Sequence, residues 1–413
     1  MEHGVLMQRS WSFLALVAVL GVLNLFVGCS KTTSTPATDP GSTAGATAPT
    51  EPVPVGGDGH TLTGPYTHGK LAVYLVHARE RDDRDFITLN EGLENGTVEV
   101  TEKESAQVQE LIIENRSNYP LYLQEGDRLI GGKQDRMVHT SIAIAPKSGK
   151  MPIPTFCIER SRWSAGERGA LFAQSSNVGY APNTVRTAAK LSSSQDKVWR
   201  EVAQLKAEAG LQLGTANSNT SLNETLDSEQ VTKLSKDVAE ALGKIAAEHP
   251  DSVGVAFAVN GTIEEINIYP GHTLFAKVYP RLLESYAVES ALTEASEGET
   301  DAAENKPPTL AAVQAFMSEA PGERIRQDKI NDDNQLDVYW AKGTATCVTK
   351  YNGVSLHRQW LRAEKPTEAA QQEGLQYINR QELQQLLEPQ SDSIIQQRQQ
   401  RNNVPENDSN ADQ

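Results

Sequence analysis

Glu125-Gly-Asp-Arg-Leu-Ile-Gly-Gly-Lys-Gln-Asp-Arg136 carries three glycines, a lysine and two arginines, and it admits two folds. As a phosphate-gripping loop it would leave a strand and open a helix whose N-terminus faces the phosphate. As a turn between strands it belongs to an antiparallel sheet. Spacing decides between them. Gly126 and Gly131 fit the loop formula, but Gly132 pushes Lys133 one residue too far, and Gln134 stands where a Ser or Thr would hold Mg²⁺. The chain beyond it, residues 137–145, reads as strand rather than helix. The stretch is expected to be a turn, and nucleotide hydrolysis by it is not.

Outward from this turn the N-terminal part keeps the same texture. Residues 70–77, 86–90, 96–101, 108–115, 121–124 and 151–158 read as short strands separated by Asn-Gly, Pro and Ser-Gly turn signals. Turns at such short intervals predict an antiparallel, β-sandwich-like half. Past Trp163 the period lengthens. Residues 196–209 place Val198, Val202 and Leu205 on one helical face with Gly210 as a stop, and residues 228–249 repeat the pattern. Residues 252–259 and 262–269, joined by Asn260-Gly261, form the clearest hairpin. A helix over 272–292, a short helix over 310–317 and strands over 338–341, 344–349 and 354–357 complete a mixed C-terminal half. The fold class expected is α+β. Two polar insertions, 215–225 and 293–308, are expected to be a mobile loop and a disordered acidic segment.

The ends read differently from the middle. Arg9 precedes an apolar run that closes on Phe26-Val-Gly-Cys29, the layout of a secretory signal peptide with a bacterial lipoprotein processing box. The run also approaches spanning length, so an uncleaved anchor is the alternative. Residues 1–28 are taken as the signal peptide, with Cys29 as the lipidated residue, and 29–65 as a Ser/Thr/Pro-rich linker. Such a linker holds the domain on the order of 30 Å from the bilayer. Residues 66–362 form the expected domain, and 363–413 a Gln-rich solvated tail. The expected location is the bacterial cell envelope, outside the cytoplasm, with the membrane as partner through the lipidated N-terminus.

A net charge of -16 over 413 residues argues against a nucleic-acid partner. One island departs from it. Between Arg128 and Arg168 there are eight basic residues (Arg128, Lys133, Arg136, Lys147, Lys150, Arg160, Arg162, Arg168) against Asp135, Glu159 and Glu167. Amides around Gly131-Gly132 beside Lys133 and Arg136 could cradle an anion, or the glycines could form a bulge whose basic neighbours pair with carboxylates. Cys157 reads as a buried small hydrophobe or a disulfide partner of Cys347, and less readily as a nucleophile served by His139. No His-Glu-x-x-His, zinc-spaced cysteine pair or Gly-x-Ser-x-Gly elbow occurs, so neither metal nor cofactor is expected.

Taken together, Glu125-Gly126, Gly131-Gly132-Lys133-Gln134 with Arg136, Pro154, Cys157-Ile-Glu159 and Arg162-Trp163 resemble the family associated with ADP-ribosylglycohydrolases and rhodanese-phosphatases. Val198-Trp199, residues 254–261, Leu274-Phe275 and Tyr286-Ala287 extend the resemblance over about residues 69–362. Asp135 and Tyr279 depart from the family's Asn and Trp. The resemblance implies no particular reaction, and its link to ADP-ribose is one of association. The site residues expected from the island and the resemblance are Glu125, Gly131, Gly132, Lys133, Gln134, Arg136, Glu159, Arg162 and Trp163. They imply an anionic, ADP-ribose-like ligand. The alternative is a non-enzymatic interaction module at the cell envelope in which Gly131-Gly132 and Trp163 are structural.

Overall fold

The computed structural model describes residues 53–55, 59–79, 81–103, 109–160, 171–174, 179–215, 221–296, 306–318 and 322–372. Cys29, Arg162 and Trp163 lie outside them, as do most of the expected linker and tail.

β1 (Val53–Val55), β2 (His60–His68) and β3 (Leu71–Ala78) open the fold as an antiparallel meander. β1 and most of β2 fall inside the stretch read as linker, so strand pairing begins before Tyr66. β4 (Ile87–Thr88) is followed at once by α1 (Leu89–Glu94), where a longer strand was expected. Thr88 explains the switch. Its hydroxyl accepts the Glu91 N–H at 3.3 Å while the Glu91 carboxylate accepts the Thr88 N–H at 2.8 Å, a capping box that starts a helix. β5 (Val98–Glu102), β6 (Glu110–Asn115), β7 (Leu121–Leu123), β8 (Arg128–Gly131), β9 (Arg136–Val138), β10 (Ile142–Ile144), β11 (Lys150–Cys157) and β12 (Phe172–Gln174) follow.

The helical layer comes next, as α2 (Asn183–Ser192), α3 (Gln195–Leu213), α4 (Leu222–Leu226), α5 (Glu229–Leu242) and α6 (Ile245–Glu248). α3 passes through Gly210 and stops at Gly214, whose φ of +64° supplies the left-handed cap. α4 lies in the polar insertion expected to be mobile; its Ser221 and Asn223 are buried. β13 (Ser252–Val259) and β14 (Thr262–Ile268) form the expected hairpin, with Asn260 and Gly261 both at positive φ as a type I′ turn requires. α7 (His272–Ser296), α8 (Leu310–Ser318), β15 (Glu323–Lys329), β16 (Asn334–Ala341), β17 (Thr344–Tyr351), β18 (Val354–Arg362) and α9 (Glu368–Gln372) close the chain. α7 runs into the acidic insertion, of which residues 297–305 lie outside the described set. α9 packs on α2 with Ala370 buried, so the fold continues past residue 362 into the expected tail.

The architecture is α+β with antiparallel sheets. Nine strands run in the order β1-β2-β3-β13-β14-β18-β17-β16-β15, joining the first three strands to the last six. A six-stranded sheet, β12-β8-β9-β11-β6-β5, and a small one, β10-β7-β4, pack their apolar faces on the β16–β18 part of it through Leu111, Ile113, Leu129, Ile153, Leu336 and Leu361. One face of the large sheet is covered by α5 and α7 through Val73, Leu75, Val255, Phe257, Leu282 and Tyr286, and the other by α8. The β8–β9 hairpin and α2 therefore sit where sheets and helices meet.

Candidate functional site

β8 and β9 form a hairpin, with Arg128 opposite Met137 and Leu129 opposite Arg136, so the Gly131–Arg136 stretch is a turn between antiparallel strands. Its amides point inward at carboxylates. Gly131 N–H donates to Asp135 Oδ1 at 3.1 Å, Lys133 N–H to Glu102 Oε1 at 2.8 Å, and Asp135 N–H to Glu159 Oε2 at 3.0 Å. Arg136 is buried; its Nη1 donates to the Gln134 carbonyl at 2.9 Å and its Nη2 lies 3.6 Å from Glu102 Oε1. Asp135 Oδ2 accepts from Ser221 Oγ at 2.9 Å and Asn223 Nδ2 at 3.0 Å. Asn223 in turn accepts from Arg128, which burial lowers to about 10. Gly131, Gly132, Lys133, Gln134, Arg136 and Glu159 are thus brought together, around oxygens the protein itself provides.

The wider basic island is dispersed. Lys150 stands seven residues along β11 from Cys157, about 24 Å of extended strand. Lys147 and Lys150 are exposed there, and Arg160 lies over the Trp199 ring at 5.5 Å.

Glu125 faces elsewhere. The chain leaves β7 through Gly126, at a φ of +84°, and a Cβ there would stand 2.4 Å from Arg186 Cδ. This close approach seats Glu125 in the interior, 3.2 Å from Arg186 Nη1 and in contact with Lys190 Nζ. Arg186 also donates to both Glu265 oxygens, at 2.8 and 2.7 Å. Tyr286 OH donates to Glu265 at 2.7 Å, and the Gln359 carboxamide donates to both Glu125 and Glu265 while accepting from Lys190. All six side chains are buried, and their four charges sum to zero. Burial opposes ionisation of Glu265, but Arg186 overcomes it and holds the carboxyl at about 2. Burial lowers Lys190 to about 8, which leaves it mostly protonated at neutral pH beside Glu125.

Sequence reading found Glu125 but missed its partners. Arg186 and Lys190 stand one helical turn apart on α2, a helix that the sequence reading did not identify. Glu265 was legible only as a polar residue within an apolar strand, and Gln359 lies past the strand expected over 354–357 because β18 runs on to Arg362.

Cys157 and Cys347 are both buried and are not bridged to each other. Burial pushes the Cys157 thiol up to about 11, which argues against the nucleophile reading. His139 packs on Phe156 with ring centroids 5.0 Å apart, and burial with the nearby Arg326 charge lowers it to about 3. That has a measurable consequence. The unfolded chain takes a proton at this histidine below its ordinary value of 6.5, whereas the folded protein takes none until about 3. Stability is therefore lost as pH falls between those values, at up to about 1.4 kcal/mol per pH unit. Urea unfolding of His139→Gln at pH 7, 6, 5 and 4 should lose that slope relative to the parent; equal slopes would refute it.

Among the described residues no group of His, Cys, Asp or Glu could hold a metal ion, and no helix is long and apolar enough to cross a membrane. Comparison with curated proteins and with solved structures returned no match. The family description of the ARG and Rhodanese-Phosphatase-superfamily-associated Protein domain, ARPP-1, matches residues 59–359, from the start of β2 to Gln359 of the buried cluster. The chain belongs to that family.

Proposed function

We propose that this chain is a membrane-tethered extracytoplasmic protein, anchored through Cys29, that binds an anionic ligand of ADP-ribose or sugar-phosphate type at the Gly131–Arg136 turn. The observation supporting this reading is Glu102. Its carboxylate accepts the Lys133 N–H at 2.8 Å and lies 3.6 Å from Arg136, on a side chain 14% exposed. The turn therefore already holds an anionic oxygen near the surface, and a ligand phosphate or carboxylate takes that place when Glu102 swings out.

Glu102→Gln weakens the internal competitor. Thermal unfolding of the full chain with inorganic phosphate, ADP-ribose and sugar phosphates should show a midpoint that rises with concentration, and rises further in the Glu102→Gln variant. A midpoint unmoved by every anion in both proteins would sink the reading. The tether is tested separately. Cys29→Ser should move the protein from the membrane fraction to the soluble one, and retention in membranes would count against anchoring at that residue.

A second reading is favoured by the depth of Gln134 and Arg136 and by the pairing of the Gly131 and Asp135 amides with Asp135 and Glu159. It makes the turn structural and the protein a non-enzymatic interaction module of the envelope.

A further inference from the structure

Away from the turn, one end of β2 and β3 carries a second polar constellation. Thr61 pairs with His77 across the β2–β3 ladder, which brings Thr63, two residues along, beside the same imidazole. Thr63 Oγ1 lies 2.8 Å from His77 Nε2, and Asp251 Oδ1 lies 3.0 Å from His77 Nδ1. The Asp251 carboxylate stands at ion-pair distance from Nδ1 without hydrogen-bond alignment; the tautomer protonated at Nδ1 leaves Nε2 to accept the threonine hydroxyl. The His249 ring stands edge-on to His77 at 5.7 Å and is itself tied by Nε2 to Tyr66 OH at 2.9 Å. The imidazole is thus held at Nε2 by Thr63 and flanked by Asp251 and His249. The row runs inward from solvent: the Asp251 side chain is 61% exposed, and that of His77 is 7% exposed.

We propose that Thr63, His77 and Asp251 form an acyl-transfer site for small acyl esters. A hydroxyl, an imidazole and a carboxylate in this order are the parts that activate an oxygen nucleophile, on whatever fold they occur. Thr63 Oγ attacks the ester carbonyl carbon and its proton passes to His77 Nε2. The tetrahedral intermediate collapses, the C–O bond to the alcohol breaks, and the alkoxide takes the proton from His77. Water then attacks the acyl-threonine, giving one proton through His77 back to Thr63 Oγ and releasing the acid. The sum is ester and water to acid and alcohol, with no other reactant. Thr63 is only 6% exposed, which limits the acyl group to a small one. Asp251 and His249 are positioning residues.

The full chain is incubated with p-nitrophenyl acetate, quenched in acid and mapped by peptide mass spectrometry. An acetyl group on Thr63 is expected, with a matching burst of p-nitrophenolate. Thr63→Val, nearly isosteric in the strand, should abolish both, while Thr63→Ser should keep them. His77→Gln should slow acylation about 100-fold or more. Asp251→Asn should slow it at an unchanged melting temperature, an effect that a merely structural carboxylate does not produce. Absence of the Thr63 adduct in the folded parent overturns the proposal, as does a burst of equal size in a folded Thr63→Val.

Discussion

Arg186→Met is expected to remove about 3–5 kcal/mol of folding stability, read as a lower urea midpoint, because it strands a buried carboxylate. The guanidinium bridges Glu125 and Glu265 in an interior that none of the three reaches out of. Without it two carboxylates face one ammonium, and Glu265 loses two of the hydrogen bonds that offset its desolvation. The companion is Arg186→Met with Glu265→Gln, which removes one charge of each sign. It should be more stable than Arg186→Met alone, and with Glu265→Gln alone it closes the double-mutant cycle that measures the coupling. Acid supplies an independent check. The Glu265 carboxyl is held at about 2 when folded against an ordinary 4.5, so its contribution is complete above 4.5 and is lost as pH falls towards 2. The gap between parent and Arg186→Met must narrow across that window. A loss under about 1 kcal/mol at pH 7, or a gap that widens in acid, would mean that the cluster does not hold the fold together.

What the sequence disclosed follows from how far each signal reaches along the chain. The β13–β14 and β17–β18 hairpins were legible because Asn260-Gly261 and Asn352-Gly353 adopt positive φ locally, and nothing distant is needed to specify the turn. The stripes Val198, Val202, Leu205 and Val231, Val238, Leu242 were legible for the same reason, since each faces a core from one helix. α2 was missed although its ten residues are amphipathic; eight of them are buried, and its polar face, Arg186 and Lys190 included, turns inward rather than to solvent. β15 was missed for the opposite reason: its charged residues guard the edge of the nine-stranded sheet and break the apolar alternation of an inner strand. Glu125 was selected for the company it keeps in sequence, whereas its partners come from α2, β14 and β18. Neither periodicity nor spacing encodes a meeting of three elements from the far end of the chain.

Gly131→Ala is the second large effect, about 3 kcal/mol or more. At a φ of +141° only glycine rests without strain, and a Cβ there would stand 2.3 Å from the Leu171 carbonyl oxygen. That oxygen is backbone, so relief requires β12 to move off β8, where Phe172 pairs with Gly131. Gly149→Ala is the control. It shares a positive φ, +66°, but its Cβ would meet nothing within 4 Å, so it carries backbone strain of about 1–2 kcal/mol alone. The comparison bears on function as well as on packing. If Gly131→Ala destabilises far more than Gly149→Ala, close approach of Leu171 is a sufficient reason for glycine in the turn, and no ligand need be invoked to explain it. Anion binding then rests on Glu102, Lys133 and Arg136. Equal losses at the two glycines would show that β12 yields without cost, and would leave the space beside Gly131 available to a ligand.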